Sequence, residues 1–135
     1  VDDDRDAREL IKRLLTDYDA EVRVATSANE ALQMLNAAPA DVLLSDIGMP
    51  EMDGYELIGA VRALPAPERA NIAAAALTAF ARSQDRTRAL LAGFQAHITK
   101  PVDPAELVAV VVSLTRRTGK TPGSAAGNSA DGEPV

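Results

Sequence analysis

The chain has 135 residues, of which 47% are hydrophobic and 25% charged, and this is the composition of one ordinary globular domain. A formal net charge of −6 and an aromatic content of 3% argue against a protein that binds nucleic acid through phosphate contacts or base stacking. Because the sequence has no cysteine, one histidine and no long apolar run, it excludes a disulfide framework, a multi-histidine metal centre and a membrane-spanning segment.

Apolar residues recur with helical spacing in some segments and alternate or run continuously in others. The first predicted strand ends at residue 1, and further strands are predicted over 21–26, 41–46, 72–78 and 95–99. Helices are predicted over 4–18, from a cap at Ser27 or Asn29 to before Pro39, and over 55–64, 82–92 and 103–117. A turn is predicted at Asp53-Gly54, between the strand over 41–46 and the helix over 55–64.

Two of these elements conflict with local propensity. The segment 72–78 contains four consecutive alanines, which favour a helix, yet it is short and lies between two helices. We predict a strand there, because small residues suit a strand that is crowded on both faces. The valines at 108 and 110–112 disfavour the last helix, but Asp103 as N-cap and Pro104 in the first turn support it.

The composition changes near residue 118. Residues 118–135 are rich in glycine, serine and proline and contain no aromatic side chain. Such a segment cannot bury enough apolar surface to offset the entropy that it loses on ordering, so we predict a disordered tail. The folded domain is expected to span residues 1–117.

Strands that alternate with helices predict a parallel sheet with helices on both faces, which is a three-layer, doubly wound α/β domain with five strands. In such sheets, ligands bind outside the carboxyl ends of the strands. The residues that follow the predicted strands there are acidic, hydroxyl-bearing or basic, namely Asp2, Asp3, Asp4, Asp46, Thr78 and Lys100. This convergence is the strongest functional signal in the sequence.

Clustered carboxylates repel one another and therefore favour a bound cation. Since all the available ligands are oxygens, a hard divalent ion is expected, with Mg²⁺ preferred. Thr78 and Lys100 would then donate hydrogen bonds to phosphate oxygens. A carboxylate next to Mg²⁺ and an ammonium group is suited to attack phosphorus and to form an aspartyl phosphate.

Each of these residues also has a purely structural interpretation. Acidic residues suit a helix N-terminus, and we accept this interpretation for Asp4. A lone Asp after a strand is often a turn or cap residue, and a lone Thr or Lys is usually a solvated surface residue. The functional interpretation is preferred because the four strand ends together form one constellation.

Four motifs resemble the receiver domains of two-component response regulators. They are VDDD at 1–4, LLSDIGMPEMDG at 43–54, ALTAFA at 76–81 and HITKPVD at 97–103, and the resemblance covers about residues 1–117. It implies a flavodoxin-like sheet with strand order 2-1-3-4-5. Because only Val1 precedes the acidic residues, we expect the first strand to be truncated and a longer parent chain to supply more apolar residues ahead of it.

The resemblance also implies a role for each site residue. Asp46 would be the phospho-acceptor, assisted by Thr78 and Lys100, and Mg²⁺ would bind to Asp2, Asp3, Asp46 and the backbone carbonyl of Gly48. Thr78 and His97 would form the switch, although His97 stands where the family usually has Tyr or Phe. The bond between Lys100 and Pro101 matches a position where receivers often carry a cis peptide.

The implied function is to accept a phosphoryl group from a phosphohistidine in a His-to-Asp phosphorelay, with no enzymatic activity beyond the chain's own phosphorylation and dephosphorylation. The implied partner is a histidine kinase or a histidine phosphotransfer protein in the cytoplasm, without contact to nucleic acid or membrane. A weak homodimer would use the fourth helix, fifth strand and fifth helix. The sequences of the motifs are most similar to those of receiver domains at the C-terminus of hybrid sensor kinases.

Three other classes of protein compete with this assignment. A Mg²⁺-dependent phosphohydrolase also forms an aspartyl phosphate, but it carries a second Asp two residues after the nucleophile, where this chain has Gly48, and a cap insertion for which there is no room. A degenerate receiver that only binds partners is the second alternative, although every site residue is present. A dinucleotide-binding domain is excluded, because the glycine fingerprint is missing.

Overall fold

The computed structural model describes residues 1–79 and 82–117, and the predicted tail at 118–135 lies outside them. The described elements, in chain order, are α1 (Arg5–Thr16), α2 (Ala28–Ala37), β1 (Val42–Asp46), α3 (Gly54–Arg62), α4 (Pro67–Ala70), β2 (Ala73–Thr78), α5 (Ser83–Ala92), β3 (Ala96–Thr99) and α6 (Pro104–Arg117). No described helix has the length and apolar character that a membrane span requires.

The three described strands form a parallel sheet in the order β1-β2-β3. The backbone of Val1 and Asp2 lies beside β1, where the Val1 nitrogen donates to the Leu44 carbonyl at 2.6 Å and the Asp46 amide donates to the Val1 carbonyl at 2.8 Å. On its other side, the Asp2 amide donates to the Ala25 carbonyl at 3.1 Å. The spatial order of these five segments is therefore the expected 2-1-3-4-5.

One of the five expected strands, that over 21–26, does not form within the described residues. Residues 21–25 have no regular secondary structure and residue 26 lies in a bend, whereas the strand end expected at residue 1 pairs with β1 through the two hydrogen bonds of Val1. A ladder needs successive pairs of backbone hydrogen bonds, and the contact between these two segments is the single bond from Asp2 to Ala25. The strand prediction at 21–26 was therefore wrong, although the segment occupies the position of that strand.

The alanine-rich segment does form a strand. All six residues of β2 are buried, and its side chains point alternately into two apolar clusters. The first cluster packs α2 and α3 with Ala89 of α5 against one face of the sheet, and the second packs α1 and α6 against the other. Tertiary packing thus overrides the helical propensity of alanine.

Helix caps fix the loops that surround the sheet edge. The side chain of Asp4 accepts from the Asp6 amide and begins α1, while Ser27 begins α2. Asp53 and Glu56 form a capping box at the start of α3, so the Asp-Gly pair expected to be a turn instead begins a helix. The short helix α4, which begins at Pro67, was not predicted from the sequence.

Candidate functional site

The carboxyl ends of the strands meet at one edge, as expected. Asp46 is the last residue of β1, Thr78 is the last residue of β2, and Lys100 follows β3. The hydrogen bonds between Val1 and β1 bring Asp2 and Asp3 to the same edge. Carboxylate oxygens from Asp2, Asp3 and Asp46 all lie within 4.8 Å of one another, so together they could hold a hard cation.

Lys100 links two of these carboxylates. Its Nζ lies 2.8 Å from Oδ2 of Asp2 and 3.1 Å from Oδ1 of Asp46. The Asp2 side chain is 2% exposed and that of Asp46 is 11% exposed, so both contacts are shielded from water. Charge-assisted hydrogen bonds of this kind are strong, and they offset part of the cost of burying the charges.

The backbone of Lys100 is held as firmly as its side chain. Its amide donates to the Thr78 carbonyl at 2.7 Å, which continues the pairing between β2 and β3 beyond Thr99. The peptide bond between Lys100 and Pro101 is cis, as expected. The ammonium group therefore extends toward the acidic residues from a fixed point beside Thr78.

Burial and the neighbouring charged groups both shift the pKa values of Asp46 and Lys100. Burial raises the pKa of Asp46 and the charge of Asp2 adds to the rise, while the hydrogen bond from Lys100 partly offsets it. Burial lowers the pKa of Lys100, but the hydrogen bonds and charges of Asp2 and Asp46 together outweigh it, so its net shift is upward. Lys100 therefore remains an ammonium group at neutral pH and stabilises the anionic form of Asp46.

Gly54 packs closely against the backbone of Asp46. The sequence predicts this glycine only as part of a turn. A side-chain carbon on Gly54 would collide with the carbonyl oxygen of Asp46 and would lie 2.9 Å from Cα of Ile47. The close approach is fixed by the Gly54 amide, which donates to the Ile47 carbonyl at 2.9 Å. The Glu that follows Asp53 by three residues was the signal that a helix begins here.

The two expected switch residues lie on the same face of the sheet. Thr78 pairs with Thr99, and His97 is two residues before Thr99 on the same strand. Thr78 is buried, whereas His97 is partly buried. Within residues 1–79 and 82–117, Nε2 of His97 is enclosed and has no hydrogen-bond partner. Gly48 is exposed, and the space around its α-carbon is open.

Comparisons with known proteins identify the family. The family model of the response regulator receiver domain matches residues 1–112. The chain therefore belongs to the receiver-domain family, as its motifs indicated, and the phosphohydrolase alternative is set aside. Receiver domains accept phosphoryl groups from histidine kinases or phosphotransfer proteins, bind Mg²⁺ at an acidic pocket and are generally not classical enzymes.

Individual relatives agree with this assignment. An uncharacterized 14.6 kDa protein of Leptolyngbya boryana is 52% identical over 111 residues, which is 82% of this chain and 83% of that protein. The crystal structure of a putative response regulator from Chloroflexus aurantiacus has a TM-score of 0.81 and 33% identity, and the match covers 87% of this chain and 94% of that one. The flavodoxin-like fold is thereby confirmed.

Other relatives are longer than this chain. Histidine kinase 1 of Arabidopsis thaliana is 41% identical over 81 residues, which is 60% of this chain but 7% of that protein. The transcriptional regulatory protein PrrA of Mycobacterium tuberculosis is 36% identical over 121 residues, which is 90% of this chain and 50% of that protein. The receiver module thus occurs in proteins with different additional parts.

Proposed function

We propose that the chain accepts a phosphoryl group on Asp46 from a phosphohistidine. The observation that supports this most directly is the bridge from Lys100 to Asp46 and Asp2 at the sheet edge. It combines a carboxylate that can act as a nucleophile with a cation that can neutralise the incoming phosphoryl oxygens.

The three acidic side chains differ in their availability for attack. Asp2 is 2% exposed, and both of its carboxylate oxygens accept hydrogen bonds, from the Asp4 amide and from Lys100. Asp3 is exposed and precedes α1. Asp46 lies between residues 1–2 and β2, next to both Lys100 and the strand that ends in Thr78. These contrasts favour Asp46 as the acceptor.

The acidic cluster suits Mg²⁺. Three carboxylates supply more negative charge than Lys100 alone can balance, and Mg²⁺ is commonly held by one or two carboxylates with water. Asp2, Asp3 and Asp46 would hold the ion, with the Gly48 carbonyl as a further ligand. When bound, Mg²⁺ would supply positive charge for the phosphoryl oxygens.

The transfer itself exchanges one bond to phosphorus for another. A carboxylate oxygen of Asp46 attacks phosphorus, the new P–O bond forms as the P–N bond breaks, and the electron pair stays on the imidazole nitrogen of the donor. Lys100 and the hydroxyl of Thr78 donate hydrogen bonds to the phosphoryl oxygens. In this proposal, the chain catalyses no reaction other than its own phosphorylation and dephosphorylation.

The test is to incubate the chain with acetyl phosphate in the presence of Mg²⁺ or EDTA and to measure the intact mass. We expect one phosphoryl group to be added with Mg²⁺ and little or none with EDTA. An acyl phosphate is hydrolysed at alkaline pH, whereas a phosphoserine or phosphothreonine is stable to brief treatment. A stable phosphoryl group mapped to Ser45 or Thr78 would contradict the assignment.

We further propose that Thr78 and His97 couple the phosphoryl group to the face formed by α5, β3 and α6. Phosphate contacts that exist in one of two states shift the population toward that state. The Thr78 hydroxyl would supply such a contact, and its movement would open space for the His97 ring, which shares its face of the sheet.

Replacing Thr78 with Ala separates these two roles. Thr78→Ala should still accept a phosphoryl group, because Asp46 and Lys100 remain, but its structural response should be weaker. NMR resonances of His97 and of α5 should move less on phosphorylation than in the wild type, while Thr99→Ala should respond normally. If phosphorylation leaves the resonances around His97 unmoved in the wild type, the switch is refuted.

The partner in this proposal is a histidine kinase or a phosphotransfer protein that presents a phosphohistidine, and the compartment is the cytoplasm. A weak homodimer would use the same α5, β3 and α6 face, and exposed apolar side chains at Leu90, Leu91 and Val112 support this. We propose a hybrid sensor kinase as the parent protein, on the basis of the motif wording and the likeness to Histidine kinase 1.

A further inference from the structure

Each of the four polar atoms of Asp2 has a hydrogen-bond partner, and one of these partners lies outside the four motifs. Its amide donates to Ala25, and its carboxylate oxygens accept from the Asp4 amide and Lys100. The remaining polar atom is the backbone carbonyl oxygen, which accepts a hydrogen bond from Nη1 of Arg8 at 2.9 Å.

This carbonyl belongs to the peptide group that joins Asp2 to Asp3. Its orientation sets the direction in which the chain continues to Asp3. Asp3 is exposed, and among residues 1–79 and 82–117 no hydrogen bond to its carboxylate is found. The bond from Arg8 to the Asp2 carbonyl and the bond from the Asp4 amide to the Asp2 carboxylate are therefore the local constraints on where the Asp3 carboxylate lies.

Arg8 reaches this carbonyl from the first turns of α1. Its amide donates to the Asp4 carbonyl within the helix, and its side chain extends back over the helix N-terminus to a residue six positions earlier. The hydrogen bonds from Thr26 lower the pKa of Glu30 at the start of α2, and the charge of Arg8 adds to this shift.

We infer that Arg8 is a positioning residue for the metal site, which it stabilises by holding the peptide between Asp2 and Asp3. The inference rests on the proposed role of these acids in binding Mg²⁺. Arg8 donates to the backbone, not to a carboxylate, so its effect on the metal is indirect. Residues that do not bind a metal themselves but orient the residues that do typically contribute tenfold or more to metal affinity.

The charge of Arg8 and its hydrogen bond have opposite expected effects on Mg²⁺ affinity. The direction in which the affinity changes when Arg8 is replaced therefore shows which effect is larger. Loss of a positive charge near the acids should tighten Mg²⁺ binding, because the guanidinium group repels the ion. Loss of the hydrogen bond should weaken binding, because Asp3 is no longer held. We expect Arg8→Met to weaken Mg²⁺ binding by about tenfold. Arg8→Lys keeps a donor and the charge, so it should restore most of the affinity.

The measurement is a Mg²⁺ titration of the whole chain, followed by the NMR amide resonances of Asp3 and Asp46. The matched control is Arg13→Met, which removes the same charge from an exposed position on α1 and should leave the affinity nearly unchanged. A second readout needs no metal: hydrogen exchange of the Asp2 amide should be faster in Arg8→Met than in Arg13→Met. Both measurements are made on samples that thermal unfolding shows to be folded.

Two results would overturn the inference and can be told apart. If the wild type binds Mg²⁺ and Arg8→Met binds it equally well or more tightly, Arg8 does not position the site and the proposed metal role of the acids stands. If the wild type shows no binding of Mg²⁺, the proposed metal role fails and the inference about Arg8 fails with it.

Discussion

Asp46→Asn is expected to abolish phosphoryl uptake from acetyl phosphate. The amide has almost the same shape as the carboxylate, and its oxygen can still accept a hydrogen bond from Lys100, so the sheet edge should keep its structure. The amide lacks the negative charge that makes the oxygen nucleophilic, and a resulting acyl derivative would be unstable. Intact mass after incubation with Mg²⁺ should therefore show no added phosphoryl group.

The control for this variant is Asp17→Asn, which makes the same chemical change at an exposed position that ends α1. It should take up a phosphoryl group as the wild type does. Uptake by Asp46→Asn at the wild-type level would move the acceptor to another residue, and peptide mapping would then identify it. Circular dichroism of both variants would show that the fold is intact.

Most of the fold was predictable from the spacing of apolar residues and from the residues that begin and end helices. The Gly at 93 and the capping residues at 4, 27 and 103 predicted the ends of helices to within one or two residues, because these residues act through local geometry. The strand at 73–78 required an argument from position, since local propensity favoured a helix. The missing ladder at 21–26 depends on pairing between distant segments, and periodicity does not report such pairing.

The site was predictable to a similar extent. Convergence of Asp2, Asp46, Thr78 and Lys100 follows from the topology, because the carboxyl ends of parallel strands meet at one edge. Contacts made through the backbone were not predictable. Gly54 lies against the Asp46 carbonyl, and Arg8 donates a hydrogen bond to the Asp2 carbonyl. Nothing in the spacing of these residues along the chain indicates that their neighbours in space are backbone atoms.

Arg62 was likewise not singled out in the sequence, yet it connects three segments at the edge of the sheet opposite the site. It ends α3, and its Nη1 donates to the carbonyls of Ala70 and Ile72 at 2.9 and 2.5 Å. Its Nε and Nη2 donate to the Gly93 carbonyl at 3.1 and 2.6 Å. Nη2 also donates to Oε1 of Gln95, which in turn accepts from the Ala74 amide at 2.7 Å.

Arg62→Met is therefore expected to lower the free energy of unfolding by roughly 3 kcal/mol, because several partly buried carbonyl groups lose their donor at a cost of about 1–3 kcal/mol each and water can replace only some of the bonds. In a domain with a total stability of about 5–15 kcal/mol, this loss is large. Urea unfolding followed by circular dichroism measures it. The control is Arg23→Met, since Arg23 also donates to two backbone carbonyls, at 3.3 and 2.9 Å, but does so at an exposed position where water can replace it. If the two variants lose equal stability, the network around Arg62 contributes no more than a surface contact, and the three segments are held by apolar packing alone.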